Sequence, residues 1–191
     1  MTDRGEVAFF GGSFNPPHVS HVLAAAYLRA VIGFERVLVV PVYAHAFDKP
    51  LTSYEHRVRM CELAMRSIEG VEVSQIERDL EVPSLTLRTL QAVVRARPGV
   101  RLRLVIGADL LSETGKWHAF DEVRRIAPPF VLGRAGFEPA GAPPPVLPEI
   151  SSTRVRELLA DRQDPERRRE LSLYVPAPVL DYIDEHDLYR G

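Results

Sequence analysis

Cysteine is almost absent from this sequence: Cys61 is the only one in 191 residues. No internal disulfide framework can form, and the chain fits a reducing compartment. Cys61 lies among apolar residues in a helical stretch with no nucleophile motif around it, so an inert buried thiol is expected. An excess of charge of one sign is lacking too. Lys and Arg total 24 against 26 Asp and Glu, for a net charge of −2. No global field therefore gathers nucleic acid or an anionic membrane, and any anion site must be local. Long apolar runs are missing: none approaches the ~20 residues of a membrane span. The opening MTDRGEVAFF has neither the apolar core nor the cleavage pattern of a signal peptide, so a cytoplasmic location is expected. Internal repeats are absent. The chain is 46% hydrophobic, enough at this length to bury a core without staples.

Short runs rich in Val, Ile, Leu and Phe alternate with longer helical segments. The runs at 6–10, 36–40, 71–76, 101–106 and 129–132 are bounded by Gly or Pro and read as strands. Residues 18–32, 53–68, 84–97 and 118–127 carry helical spacing. Near-continuous apolar character, rather than alternation, suggests strands covered on both faces. The rhythm predicts a parallel sheet with right-handed crossovers, a doubly wound, Rossmann-like α/β fold that takes ligands at the carboxyl ends of its strands. Residues 135–148 break the rhythm with two Gly and five Pro, which reads as an irregular connection. Helices at 152–160, 164–172 and 178–186 follow. They are too few for a second core, so residues 1–191 are expected to form one domain: a core at 6–134, the connection at 135–148 and a small helical part at 152–190.

The densest chemistry lies in Gly11-Gly12-Ser13-Phe14-Asn15-Pro16-Pro17-His18-Val19-Ser20-His21, between the first strand and the first helix. Paired glycines let the backbone approach a ligand closely, and two prolines delay and stiffen the helix start. His18 and His21, three apart, share a helix face beside the N-terminal N–H groups, where a phosphate is favoured. A capped glycine turn with two surface histidines is the plainer alternative. A His-x-x-His metal pair is another, but the helical zinc-protease spacing and glutamate are missing, and no third ligand is evident nearby. Gly115-Lys116 imitates the end of a P-loop. Trp117 stands where Ser or Thr is needed, and no Gly lies five residues before Gly115, so that reading fails.

GGSFNPPHVSH resembles the GxFxPxHxGH signature of the adenylyl- and cytidylyltransferase superfamily, in the GG-[ST]-F-[DN]-P-x-H form of the nicotinate-nucleotide adenylyltransferases. Ser20 departs from the family's Gly. Ile150-Ser151-Ser152-Thr153-Arg154-Val155-Arg156 is similar to the family's second signature, ISSTxxR. Independently of the resemblance, hydroxyl residues there can cap a helix whose N–H groups and Arg156 face an anion. Ile106-Gly107-Ala108-Asp109 resembles IGxD, whose Asp holds ribose hydroxyls; a carboxylate suits a vicinal diol, and a helix-cap role for Asp109 can coexist. Pro83-Ser84-Leu85-Thr86 resembles the family's PSYT, and Trp117 with His118 the segment whose Trp stacks on the pyridine ring. Ordinary core packing is the alternative for Trp117. Leu85 and Arg88 depart from the pattern, as does the stretch before Lys49, where the family has Pro-Pro-His-Lys and this chain places His45 earlier. Arg134 matches the second Arg of RRPG, with Gly133 in place of the first. The likeness extends to Leu188-Tyr189-Arg190.

The resemblance implies an enzyme of NAD biosynthesis that moves AMP from ATP onto nicotinate mononucleotide, giving deamido-NAD and pyrophosphate. It assigns catalysis to His18, His21 and Lys49. ATP would bind through Gly11, Gly12, Ser13, Phe14, His18, His21, Gly107, Asp109, Ser151, Ser152, Thr153 and Arg156. The mononucleotide would meet His45, Lys49, Ser84, Thr86, Trp117, His118 and Arg134. Mg²⁺ would arrive on ATP, with no protein metal site, and neither nucleic acid nor membrane is an expected partner. Nicotinamide mononucleotide or pantetheine phosphate is the alternative acceptor, and a nucleotide-binding regulator without turnover the alternative class. Oligomeric state is left open, a homo-oligomer included.

Overall fold

In the computed structural model, residues 5–44, 51–110, 115, 117–133, 135, 144 and 146–190 are described. Among the described residues, five strands form one sheet: β1 (Glu6–Gly12), β2 (Arg36–Pro41), β3 (Val71–Val73), β4 (Arg101–Gly107) and β5 (Pro129–Leu132), in the order β3-β2-β1-β4-β5. Every pairing is parallel, with Val7 beside Arg36 and Leu102, and Leu104 beside Pro129. The helices are α1 (Val19–Tyr27), α2 (Tyr54–Met65), α3 (Thr86–Ala96), α4 (Phe120–Ile126), α5 (Ser152–Leu159), α6 (Pro165–Tyr174) and α7 (Ala177–Glu185).

Alternation along each strand divides the core into two layers. Ala8, Val37, Val39 and Val105 face one way, onto Ala24, Leu28, Met60 and Cys61 of the first two helical segments and Val155, Leu171 and Ile183 of the last three helices. Val7, Phe9, Leu38, Val40, Leu104 and Ile106 face the other way, onto Leu87, Leu90 and Val93 of α3 and Val123 of α4. Side chains of a strand point alternately to its two faces, so an unbroken apolar run is what a doubly covered strand requires. This is the expected doubly wound α/β fold. The helical part after residue 150 covers the first layer rather than forming a core of its own.

Several boundaries differ from the sequence pattern. The strand expected over 71–76 ends at Val73, and Ile76–Asp79 closes into a 3-10 turn. The helix expected over 18–32 is α1 followed by a π-helical turn, Leu28–Ile32, ended by Gly33 at φ 85°. The apolar spacing of that stretch is satisfied by either winding, while a left-handed C-terminal residue favours Gly. Cys61 is fully buried, and burial pushes its thiol far above the ordinary range. Among the described residues, no helix is long and apolar enough to cross a membrane.

Candidate active site

The sheet order reverses between β1 and β4, and a crevice at such a point, beyond the carboxyl ends of the strands, is where open α/β sheets take ligands. β1 ends there in Gly11-Gly12 and β4 in Gly107. After Gly12 the chain turns at Phe14, a non-glycine residue at φ 46° whose ring is buried. A Cβ on Gly12 would stand 3.1 Å from that ring, so the glycine makes room for the turn. The Phe14 ring in turn supports the imidazole of His21, with centroids 4.9 Å apart.

His18 is the N-cap of α1, and its backbone N–H donates to Nδ1 of His21 at 3.1 Å. An Nδ1 that accepts carries no proton, which leaves Nε2 as the donor of His21. The two rings lie 3.8 Å apart, on one face as their spacing requires. His18 is buried. Ser20, the departure from the family's glycine, is buried as well, and its hydroxyl donates to the carbonyl of Pro148 at 3.2 Å. The extra oxygen therefore ties the first signature to the approach of the second.

The second signature docks on the first. Ser151 caps α5 by accepting the Arg154 N–H at 3.2 Å. Ser152 donates its hydroxyl proton to the Pro16 carbonyl at 2.9 Å, and Arg156 donates from Nη1 to the Asn15 carbonyl at 2.8 Å and from Nη2 to Thr153 Oγ1 at 3.2 Å. Arg154 points away and grips Glu170 with Nη2 3.0 Å from each carboxylate oxygen. The N-terminal turns of α1 and α5 thus converge, which sets two helix N-termini, each favourable to an anion, beside one another.

At the end of β4 the Asp109 carboxylate folds back over Gly107, where a Cβ would collide with it. On the opposite flank, the loop after β2 is clasped to the Pro83–Thr86 segment. Ser84 N–H donates to Ala44 O at 2.9 Å, and Ala44 N–H donates to Ser84 Oγ at 3.1 Å. Ser84 is thus a brace of this flank, and Thr86 opens α3 beside it. The buried carboxylate of Glu77 accepts the Tyr43 N–H and the Thr89 hydroxyl, each at 2.8 Å. Arg88 meets Glu81 at 3.4 Å. Trp117 is partly buried against the α3–α4 layer, edge-on to Phe120 with centroids 5.8 Å apart, and His118 is exposed. His45, Lys49 and Arg134 lie outside the described residues.

Sequence reading missed three supports. The buried guanidinium of Arg57 donates to the carbonyls of Thr52 (2.9 Å), Ser13 (3.0 Å), Val42 (2.7 Å) and Tyr43 (3.3 Å), and burial lowers its pKa from the usual arginine value. Arg57 stands three residues after Tyr54 and four before Cys61, on the apolar face of α2, and a charge there was the available signal. Asn15 is buried, its Oδ1 accepting from the Thr52 N–H at 3.2 Å and the Tyr189 hydroxyl at 2.8 Å. Glu77 had no signal beyond its place after a strand.

A family model described as cytidylyltransferase-like matches residues 9–158. The chain is 42% identical, over the whole of both chains, to a probable nicotinate-nucleotide adenylyltransferase of Anaeromyxobacter sp. (strain K). It is 37% identical to another from Myxococcus xanthus (strain DK1622), over 99% of this chain and 97% of that one. A solved structure of Plasmodium falciparum nicotinic acid mononucleotide adenylyltransferase complexed with NaAD superposes with a TM-score of 0.82 at 19% identity, over 97% of this chain and 98% of that one, a likeness of fold. With the family model spanning most of its length and such relatives along all of it, the chain belongs to the cytidylyltransferase-like family, in its nicotinate-nucleotide adenylyltransferase branch.

Proposed function

We propose that this chain transfers AMP from ATP to nicotinate mononucleotide in the cytoplasm, as a step of NAD biosynthesis. The observation that carries the reading is the docking of α5 on the signature turn, Ser152 on Pro16 O and Arg156 on Asn15 O, which brings two helix N-termini and the histidine pair to one crevice. Full-length identity of 42% to a probable nicotinate-nucleotide adenylyltransferase supports the choice of acceptor.

A phosphate oxygen of the mononucleotide attacks the α-phosphorus of ATP. One P–O bond forms, the bond to the bridging oxygen breaks, and pyrophosphate leaves with that electron pair. The attacking oxygen is already anionic, so no general base is needed and catalysis is positioning plus charge stabilisation. His18 and His21 donate to the ATP phosphates, His18 where charge grows. Lys49, Arg134 and Arg156 neutralise phosphate charge, with Gly11, Gly12, Ser13, Phe14, Ser151, Ser152 and Thr153 shaping the nucleotide site. Gly107 lets Asp109 reach the ribose. Trp117 and Thr86 bind the pyridine end, and Ser84, His118 and His45 are further residues for the mononucleotide. The donors at the turn are N–H groups and imidazoles, so Mg²⁺ would be held mainly by ATP itself and would supply charge neutralisation there.

Pyrophosphate release from ATP, followed with nicotinate mononucleotide, nicotinamide mononucleotide and pantetheine phosphate side by side, tests the reading. A carboxylate can accept from two backbone N–H groups while an amide NH₂ cannot, at a cost of ~1–3 kcal/mol. The acid is therefore expected to lead by roughly ten- to a hundredfold in kcat/KM. Preference for the amide overturns the acceptor; no release with any acceptor overturns the activity.

A further inference from the structure

We propose that Tyr189 is a positioning residue for adenylyl transfer, its hydroxyl clamping the phosphate-binding turn through Asn15. This rests on the activity proposed above. The observation is a chain of contacts across the whole sequence. Tyr189 donates to Oδ1 of Asn15 at 2.8 Å, and the same oxygen accepts the Thr52 N–H at 3.2 Å, while the Asn15 carbonyl accepts Arg156 at 2.8 Å. Asn15 is buried and lies three residues before His18 in the turn. Its side-chain amide is therefore held from two segments and its backbone carbonyl from a third, and the backbone that delivers the two imidazoles is fixed with it.

The segment bearing Tyr189 is shaped to deliver that hydroxyl. Beyond α7, Asp187 and Tyr189 adopt left-handed backbone angles, φ 55° and 61°, and Leu188 N–H donates back to Ile183 O at 3.0 Å. Such angles are costly in residues other than glycine and persist where surrounding contacts impose them. Arg162 holds this segment from outside it. It is buried between α5 and α6, donates from Nη1 to Leu188 O at 2.7 Å and from Nη2 to Asp187 Oδ1 at 3.1 Å, and pairs through Nε with Asp184 Oδ1 at 3.2 Å. A tail that needed only to end a helix would require none of this. Burial raises the Tyr189 phenol to about 12, so its hydroxyl keeps its proton at any working pH.

Tyr189→Phe removes the hydroxyl and keeps the ring. Its kcat for pyrophosphate release is expected to fall about five- to tenfold, the scale of one hydrogen bond, with KM for ATP and acceptor within about twofold. In an Asn15→Ala background the same change is expected to lower kcat no further, because its effect passes through Asn15. A melting temperature that falls while kcat stays at the wild-type value marks a merely structural contact and overturns the proposal, as do additive losses in the double variant. Amide hydrogen exchange at residues 11–15 and 18 is read in parallel and needs no turnover. Faster exchange in Tyr189→Phe supports the clamp, and unchanged exchange overturns it even if the wild type transfers AMP to no acceptor, the result that would instead sink the activity.

Discussion

Replacing Arg57 with leucine should be among the most damaging single changes in this chain. The guanidinium meets four backbone carbonyls at 2.7–3.3 Å, drawn from the signature turn, the end of the second strand's loop and the start of α2. Leucine retains apolar bulk but offers no donor. A stranded buried acceptor costs about 1–3 kcal/mol. Carbonyls near a loop rim can regain water, so two of the four at full cost, with the others resolvated, gives about 2–6 kcal/mol. Removal of one partner from a buried charged cluster narrows this to about 3–5 kcal/mol. Against a total stability of roughly 5–15 kcal/mol that is a large share. In a protein of this size each kcal/mol moves the melting temperature by about 2–4 °C, which predicts a fall of roughly 6–20 °C. Urea unfolding followed by far-ultraviolet circular dichroism, with a thermal scan alongside, measures it. Arg57→Lys should fall between leucine and wild type, since a tetrahedral ammonium has three donors where a planar fork serves four acceptors. A loss below about 1 kcal/mol for leucine would mean that water satisfies these carbonyls, and Arg57 would not be what holds the two loops together.

His18→Ala should lower kcat by about 10²–10³-fold with a much smaller change in ATP affinity, the scale of one lost transition-state donor; a pure KM effect in steady-state kinetics would make His18 a binding residue. Arg156→Ala should weaken ATP by roughly 1.5–3 kcal/mol in calorimetric titration. Arg154→Ala should leave affinity within about twofold, because its exposed partner is Glu170 and not the turn; equal losses would refute the division between them. Cys61 should resist iodoacetamide at pH 8 in the folded protein and react on unfolding, since burial keeps it a thiol; rapid labelling of the native chain would contradict that burial.

The sheet and the signature turn could be read from the sequence because their determinants are local. Apolar runs bounded by Gly or Pro mark β1, β2 and β4, and the histidine spacing alone puts two imidazoles on one face. β3 was overextended because Ile76 adds one more β-branched residue after Val71 and Val73, although the chain there turns into 3-10 geometry. The supports of the site were not legible. Asn15 meets Tyr189 across 174 positions, and Ser20 meets Pro148 across 128. No periodicity encodes such pairs, and the side chains look like ordinary polar residues until the fold closes. Arg57 was an intermediate case, a charge on an apolar helix face that carried a signal without naming its partners.

The docking of late helices on the early turn also bears on how the chain reaches activity. Parallel sheets and contacts between distant segments form slowly, because loop closure must precede the contacts that reward it. During synthesis the glycine turn and its histidines emerge first, yet Ser152, Arg156 and Tyr189, which fix that turn, emerge more than 130 residues later. Until then one apolar layer also lacks Val155, Leu171 and Ile183. A partly made chain would hold a loose phosphate turn over an open hydrophobic face, and would be inactive and prone to associate. Competence to bind ATP thus reports that the last helices have arrived, and nucleotide would act as a ligand for the finished fold alone, stabilising it in proportion to its occupancy.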